Sequence, residues 1–303
     1  MKILYIHPNT IRSGWHVWNG AQRMAMLGHD VTDIKIVCDA NGRIIPFDEQ
    51  GAELFPGLGD YDLVVVAAPE FVWYSWLKHV YPGWDNASVK KVALYAEGSA
   101  RSIFSDNEFD IRKHFDVGWY PSRADALGRG RWRLPGIDLG MFRPSAVTAE
   151  TIDVGFVGSI YDKRRQFIDE LTPHLKTDLV CGSPAAFDVA GEDQIVWTHL
   201  YVSSINKLRI HLSLPSLNDF PTHRPYETMA CGTLLFEPQF LPEPFVEGDD
   251  YIFYDSSDLQ GLAKELRRLV NNKRLREVIA THGMMKCRKH CSDLDMWRDC
   301  LTV

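Results

Sequence analysis

The sequence predicts an α/β protein of two doubly wound domains, each a parallel sheet with helices on both faces, facing one another across a cleft. Short apolar runs alternate with helical patterns along the chain, as βαβ units require. The alternation is interrupted by Pro, Gly and Thr between Pro135 and Glu150, and then restarts. A chain of 303 residues is also long enough for two cores. The domains are therefore placed at residues 1–145 and 146–303, with the last helix able to pack back on the first domain.

In the first half, Lys2–Ile6 reads as a strand. A polar loop holding Pro8, Ser13 and Gly14 follows, then a helix to about Leu27, stopped by Gly28. Val31–Val37 is the second strand. Tyr61–Ala68 is a continuous apolar run, as a strand buried on both faces demands. Phe71–Val80 reads as a helix, with strands at Lys91–Ala96 and Val117–Tyr120. The second half opens with a strand and glycine loop, Asp153–Ser159. A helix is expected over Gln166–Leu175, and strands over Asp178–Cys181 and Gln194–Trp197. Tyr201–Lys207 reads as a short helix, Ile210–Leu214 and Tyr251–Tyr254 as strands. Asp258 caps a helix to about Asn271, and a final helical region covers Lys273–Cys300.

Composition narrows the function classes. The chain is 45% hydrophobic and 24% charged, a soluble balance. No apolar run approaches the ~18 residues of a membrane span. Met1–Ile6 reads as a strand rather than a leader, so the six cysteines are expected to stay reduced in a cytoplasm. A net charge of −7 argues against a general nucleic-acid coat. The acidity lies mainly in the second half, whereas Arg123, Arg129, Arg131 and Arg133 cluster in the first, with Arg112 and Lys113 just upstream. That cluster reads either as a solvated loop or as a patch for an anionic acceptor, nucleic acid included.

Three stretches carry chemistry. Gly155-Phe156-Val157-Gly158-Ser159, followed by Lys163, Arg164 and Arg165, combines a tight turn, a helix start and three cations, which together can neutralise a diphosphate. The first strand runs into His7-Pro8-Asn9-Thr10-Ile11-Arg12-Ser13-Gly14 and not into G-x-G-x-x-G, which disfavours a nicotinamide dehydrogenase. Gly14 still allows a substrate close to the backbone, and His7 and His16 read either as structural histidines, the commoner case, or as lining of the cleft. The stretch His223–Phe236 reads as a short helix, a glycine stop and a buried strand. His223 and Arg224 open the helix, where backbone N–H groups attract anions, and Glu227 sits one turn in. Cys287, His290 and Cys291 are metal-ligand types, but no second pair stands at ligand spacing, so no metal site is assigned.

Arg224-x-x-Glu227-x-x-Ala230-Cys231-Gly232 with its apolar strand resembles the nucleotide-sugar glycosyltransferases of group 1, close to the spore-maturation-protein-like relatives. Val154–Ser159 is similar to the family's opening of its C-terminal domain, Leu134–Pro144 to its interdomain segment, and Glu247-Gly248 with Asp250–Tyr254 to the strand after the donor loop. The resemblance implies the GT-B fold, two Rossmann-like domains, with the acceptor on the first and a nucleotide-diphosphate sugar on the second. It implies a hexosyl- or pentosyltransferase needing no cofactor and no catalytic metal, with a hydroxyl of a glycan or small molecule as acceptor. A hydroxymethylated pyrimidine of DNA is the alternative acceptor, and a catalytically degenerate nucleotide-sugar-binding protein the other alternative.

The resemblance also distributes roles. Glu227 matches the glutamate that holds the ribose hydroxyls, and Arg224 the arginine facing the diphosphate. Gly158, Ser159, Lys163, Arg164, Arg165 and His223 complete the donor-binding set. Eight residues before Glu227 the family has a second glutamate, where this chain has Asp219, a shorter acid within reach of donor-sugar hydroxyls. Glu97, after a late strand of the first domain, stands where relatives carry a histidine or acid. It is the general base if the anomeric centre inverts and an acceptor-orienting group if it is retained, with Glu70 a weaker candidate. Gly14, His16, Arg129 and Arg131 are the acceptor-side candidates.

Overall fold

The computed structural model describes residues 1–8, 19–36, 57–67, 77, 80–81, 83–94, 114–120, 126, 130–183, 194–215 and 222–302. The chain divides into two compact units, Met1–Gly136 with Asp293–Val303, and Ile137–Ser292.

The first unit holds a six-stranded sheet of order β2-β1-β3-β4-β5-β6, every pair parallel. Its strands are β1 (Lys2–Pro8), β2 (Asp30–Ile36), β3 (Leu63–Ala67), β4 (Lys90–Leu94), β5 (Val117–Tyr120) and β6 (Arg131–Trp132). Alternation along the strands feeds two cores. Ile3, Tyr5, Leu63, Val65, Val92 and Leu94 meet Met24 of helix α1 (Gly20–Met26) and Met296, Trp297 and Leu301 of the final helix. Leu4, Ile6, Val64 and Val66 pack on the opposite face with Leu77, Tyr81 and Trp84. Burial on both faces explains why β3 is apolar at every position. Most of the helix expected at Phe71–Val80 lies outside the described residues.

The second unit is a five-stranded parallel sheet, order β11-β10-β9-β7-β8. The strands are β7 (Ile152–Val157), β8 (Leu179–Gly182), β9 (Leu208–Leu212), β10 (Leu234–Glu237) and β11 (Ile252–Phe253). Its helices are α2 (Asp162–Leu171), α3 (Gln194–Asn206), α4 (Arg224–Ala230), α5 (Leu259–Val270) and α6 (Lys273–His290). One face is the core: Val154, Phe156, Ile210, Leu212, Leu234 and Phe236 pack on Phe167 and Leu171 of α2 and on Leu262, Leu266 and Leu269 of α5. Asp258 caps α5 as expected, accepting the Gly261 N–H at 2.8 Å.

One expectation is corrected and another refined. The Gln194–Trp197 stretch is the first turn of α3 and not a strand. Its β-branched and aromatic residues favour extended backbone only weakly, and thirteen residues of continuous helix outweigh that local preference. The final helical region is two helices, α6 and α7 (Asp293–Leu301), interrupted at Cys291-Ser292. At that interruption the chain leaving the second unit runs beside the chain entering it. The Ile137 N–H donates to the Cys291 carbonyl at 2.6 Å, and Ile137 bridges Ser292 in parallel.

Within the first unit α7 is part of the core. Trp297 meets Tyr5 edge-on, with ring centres 5.4 Å apart. Asp293, in the first turn of α7, accepts from the Arg23 guanidinium at 2.7 Å with both side chains largely buried. A Cβ on Gly20 would stand 2.5 Å from the Tyr5 hydroxyl and 2.6 Å from the Trp297 ring, neither of which has room to retreat. Gly20→Ala is expected to destabilise the protein by about 1–3 kcal/mol through overpacking, outweighing any gain in helix propensity. A urea denaturation series checks this, and an unchanged midpoint would show that α7 shifts freely.

Candidate functional site

In the second unit the polar groups collect at the carboxyl ends of β7, β9 and β10. β7 ends at Val157, and Gly158 turns the chain at φ 153°, its N–H donating to the Gly182 carbonyl at 2.8 Å. A Cβ here would lie 3.0 Å from a terminal nitrogen of Arg224 and 3.0 Å from the Phe156 ring. Glycine at 158 is therefore the space that Arg224 occupies.

Two guanidinium groups share the Phe156 ring. Arg224, the first residue of α4, and Arg164, in the first turn of α2, each stand 4.8 Å from its centre. Arg164 is 6% exposed, and donates to the Ser159 carbonyl at 2.8 Å while its carbon lies 4.4 Å from the Tyr161 ring. Burial, reinforced by the like charge of Arg224, lowers the Arg164 pKa to about 10, which leaves it charged at neutral pH. The Nε of Arg224 is buried without a hydrogen-bond partner among the described residues.

Glu227 is one turn further along α4. The Tyr201 hydroxyl of α3 donates to its Oε2 at 2.8 Å, and Arg224 hydrogen-bonds the same hydroxyl. Burial raises the Glu227 pKa, while Tyr201 and Arg224 pull it back. His223 precedes the helix, and burial pushes its imidazole down to about 4, so it is neutral. The helix start itself offers less than expected. α4 has seven residues, Pro225 has no N–H, and the N–H groups of Tyr226 and Glu227 both bond to the His223 carbonyl at 3.0 Å. The anion-attracting feature is the Arg224 side chain.

Sequence reasoning missed two further groups. His211, inside β9, is fully buried. Its Nε2 accepts the Val157 N–H at 3.4 Å, leaving the proton on Nδ1, which has no partner among the described residues. Burial, then Arg224 and Arg164, push its pKa down to about 3. Glu237 ends β10 and is 4% exposed, its carboxyl raised by burial to about 7 despite Ser213, Arg224, the Gln239 backbone and Arg164. The available signal was a polar residue within, or ending, an otherwise apolar strand. Such a residue faces away from the core and must answer to something else.

The structure thus brings together Gly158, Ser159, Arg164, His223, Arg224 and Glu227. Lys163 and Arg165 flank Arg164 on the helix and are exposed, because neighbours on a helix point about 100° apart. Gly14, His16, Glu70, Glu97, Arg129 and Asp219 lie outside the described residues. In the first unit His7 is buried with its Nε2 3.0 Å from Asp33. Arg131 is exposed, donates to the Thr302 carbonyl at 3.1 Å and lies 5.4 Å over Trp119. The Cys287 thiol donates to the Tyr226 carbonyl at 3.2 Å.

Residues 163–293 match the model of the family described as "Glycosyl transferase-like". No curated protein matches the chain. Among solved structures, sucrose-phosphate synthase from Thermosynechococcus elongatus is 13% identical with a TM-score of 0.66, covering 98% of both chains. Anabaena HepE in complex with UDP and glucose is 11% identical with a TM-score of 0.69, covering 99% of this chain and 98% of that one. An alpha-glucosyltransferase in complex with UDP and a 13-mer DNA containing an HMU base is 14% identical with a TM-score of 0.70, covering 100% of both.

The buried ionisable groups predict a pH profile. Unfolding between pH 6.5 and 4.5 lets His211 and His223 each bind a proton that the fold refuses, and lets Glu237 release one. One proton net is taken up on unfolding by these three groups, so stability falls by up to about 1.4 kcal/mol for each pH unit of acidification in that window, reduced by the opposing contribution of Glu227, whose pKa burial also raises. His211→Gln is expected to flatten the slope, as measured by chemical denaturation from pH 7 to 4.5. A slope as steep as the parent's would place the dependence elsewhere.

Proposed function

We propose that this chain, a GT-B protein whose residues 163–293 carry a glycosyl transferase-like domain, is a glycosyltransferase that moves a sugar from a nucleotide-diphosphate sugar to a hydroxyl acceptor. The observation that carries this reading is the pair of guanidinium groups on Phe156, with Glu227 one turn along α4. As the bond between the sugar carbon and the diphosphate breaks, negative charge gathers on the leaving phosphate oxygens. Two fixed cations beside that oxygen stabilise the transition state more than the ground state. Glu227 has one oxygen held by Tyr201, which orients the carboxylate to accept from a pair of vicinal ribose hydroxyls.

The remaining roles follow the family resemblance. Glu97 acts on the acceptor hydroxyl, Asp219 reaches the donor sugar, and Lys163 and Arg165 add long-range attraction for the donor. The protein's own cations meet the diphosphate charge without a metal or further cofactor. Reduced cysteines suit a cytoplasmic enzyme, and no described helix is long and apolar enough to cross a membrane. UDP in the HepE structure makes a uridine diphosphate sugar the first donor to test. A thermal-shift screen against UDP-, GDP-, dTDP- and CMP-sugars is expected to raise Tm with one nucleotide class. Arg224→Ala and Glu227→Ala should each weaken that donor by about 10- to 100-fold, the loss of a charge-assisted hydrogen bond. Variants that bind and turn over the donor like the parent would overturn the assignment.

A second acceptor, a hydroxymethylated pyrimidine in DNA, is favoured by the arginine cluster that includes exposed Arg131, and by the likeness in fold to the alpha-glucosyltransferase seen with DNA. On this reading duplex DNA binds with an affinity that falls steeply with salt, and Arg129→Ala with Arg131→Ala makes the salt dependence shallower. An absence of DNA binding at low salt excludes it.

A further inference from the structure

We propose that Glu237 is the proton acceptor of the donor site: when a donor diphosphate engages Arg164 and Arg224, the Glu237 carboxylate takes a proton from solvent on Oε2, its unpartnered oxygen. The proposal rests on the donor-site reading above and adds a regulated charge to it.

The geometry is that of a charge left short of support. Glu237 closes β10, and its Oε2 is buried with no hydrogen-bond partner among the described residues. The Ser213 hydroxyl and the Gln239 N–H therefore serve its other oxygen. Among the described residues, the cations whose charge reaches it are Arg224 from α4 and Arg164 from α2. The other ionisable groups around it among the described residues are neutral. Tyr226 belongs to α4, and Tyr251 and Tyr254 flank β11, all three with phenols raised by burial and by the Glu237 charge. The Tyr254 hydroxyl is committed to the Ser213 carbonyl and the Tyr251 hydroxyl to the Leu241 N–H. His211, on the adjacent strand, and His223, at the start of α4, are held neutral by burial.

The ionised form of Glu237 thus depends on the field of two arginines against the cost of burial, and the balance lies at about 7. A diphosphate placed on those arginines cancels their field and adds negative charge of its own. The ionised form loses its support, and the carboxyl binds a proton. Donor binding and proton binding then strengthen each other reciprocally. Donor affinity falls by up to about tenfold per pH unit above neutrality, until the pKa of the bound state is passed. Release of the nucleotide returns the proton to solvent.

Calorimetric titration of UDP-glucose into the full chain at pH 7.5, in buffers of different ionisation enthalpy, tests this directly. The diphosphate diester of UDP-glucose carries no group that titrates near this pH. The expected result is uptake of a fraction of a proton, up to one. Glu237→Gln should retain binding, show no uptake and lose the pH dependence of affinity between pH 7 and 8.5. Binding by the parent without buffer dependence overturns the proposal, and that result stands even if the variant fails to fold. Uptake that persists in Glu237→Gln assigns the proton to His211 or His223 and also overturns it. If the parent binds none of UDP-glucose, GDP-mannose and dTDP-glucose, the donor-site reading itself fails, and this proposal with it.

Discussion

Two like charges held on one aromatic ring are the constraint around which the second unit's strand ends are organised. Arg164 and Arg224 both sit 4.8 Å from the Phe156 ring centre. Burial first, and then the repulsion between them, lowers the pKa of Arg164. Each neighbour accommodates the pair without cancelling it. Gly158 gives up a side chain so that Arg224 fits. The Ser159 carbonyl ties down Arg164, and Tyr201 shares its hydroxyl between Arg224 and Glu227. His211 and His223 remain uncharged, so no third cation is added.

The sheet makes this possible by dividing labour between its faces. Along β9 and β10 the side chains alternate. Ile210, Leu212, Leu234 and Phe236 go to the core, while His211 and Glu237 go to the opposite side. A strand can therefore anchor a densely packed interior and present costly polar groups two residues apart. Those costs sit at the strand termini, where the apolar face is already well secured by α2 and α5.

Much of the architecture was legible in the apolar runs. β1, β3, β7 and β10 are buried enough that their sequences leave no other assignment, and the Asp258 cap announced α5. Gly158, Arg224 and Glu227 were legible through their spacing and the family resemblance. What stayed hidden depended on phase and on distant neighbours. The triplet Lys163-Arg164-Arg165 looked like three equivalent cations, but helical rotation buries only the middle one. Gln194–Trp197 has strand-like residues inside a longer helix. Glu237 and His211 are single polar residues in apolar segments, and their surroundings come from α2 and α4, far away in sequence. Glu97 and Asp219 fall outside the described residues, so their roles rest on the resemblance alone.

The return of the last helix to the first unit changes the order in which the chain can mature. The second unit, Ile137–Ser292, is an insertion whose two ends are tied together by the Ile137–Cys291 hydrogen bond. Every residue it needs is translated before α7. The first unit begins earlier but lacks Met296, Trp297 and Leu301 from its core until α7 has been translated. Domains usually fold in the order in which they are translated. Here the second unit can complete its core first, and the first unit must wait for α7 to complete one of its own.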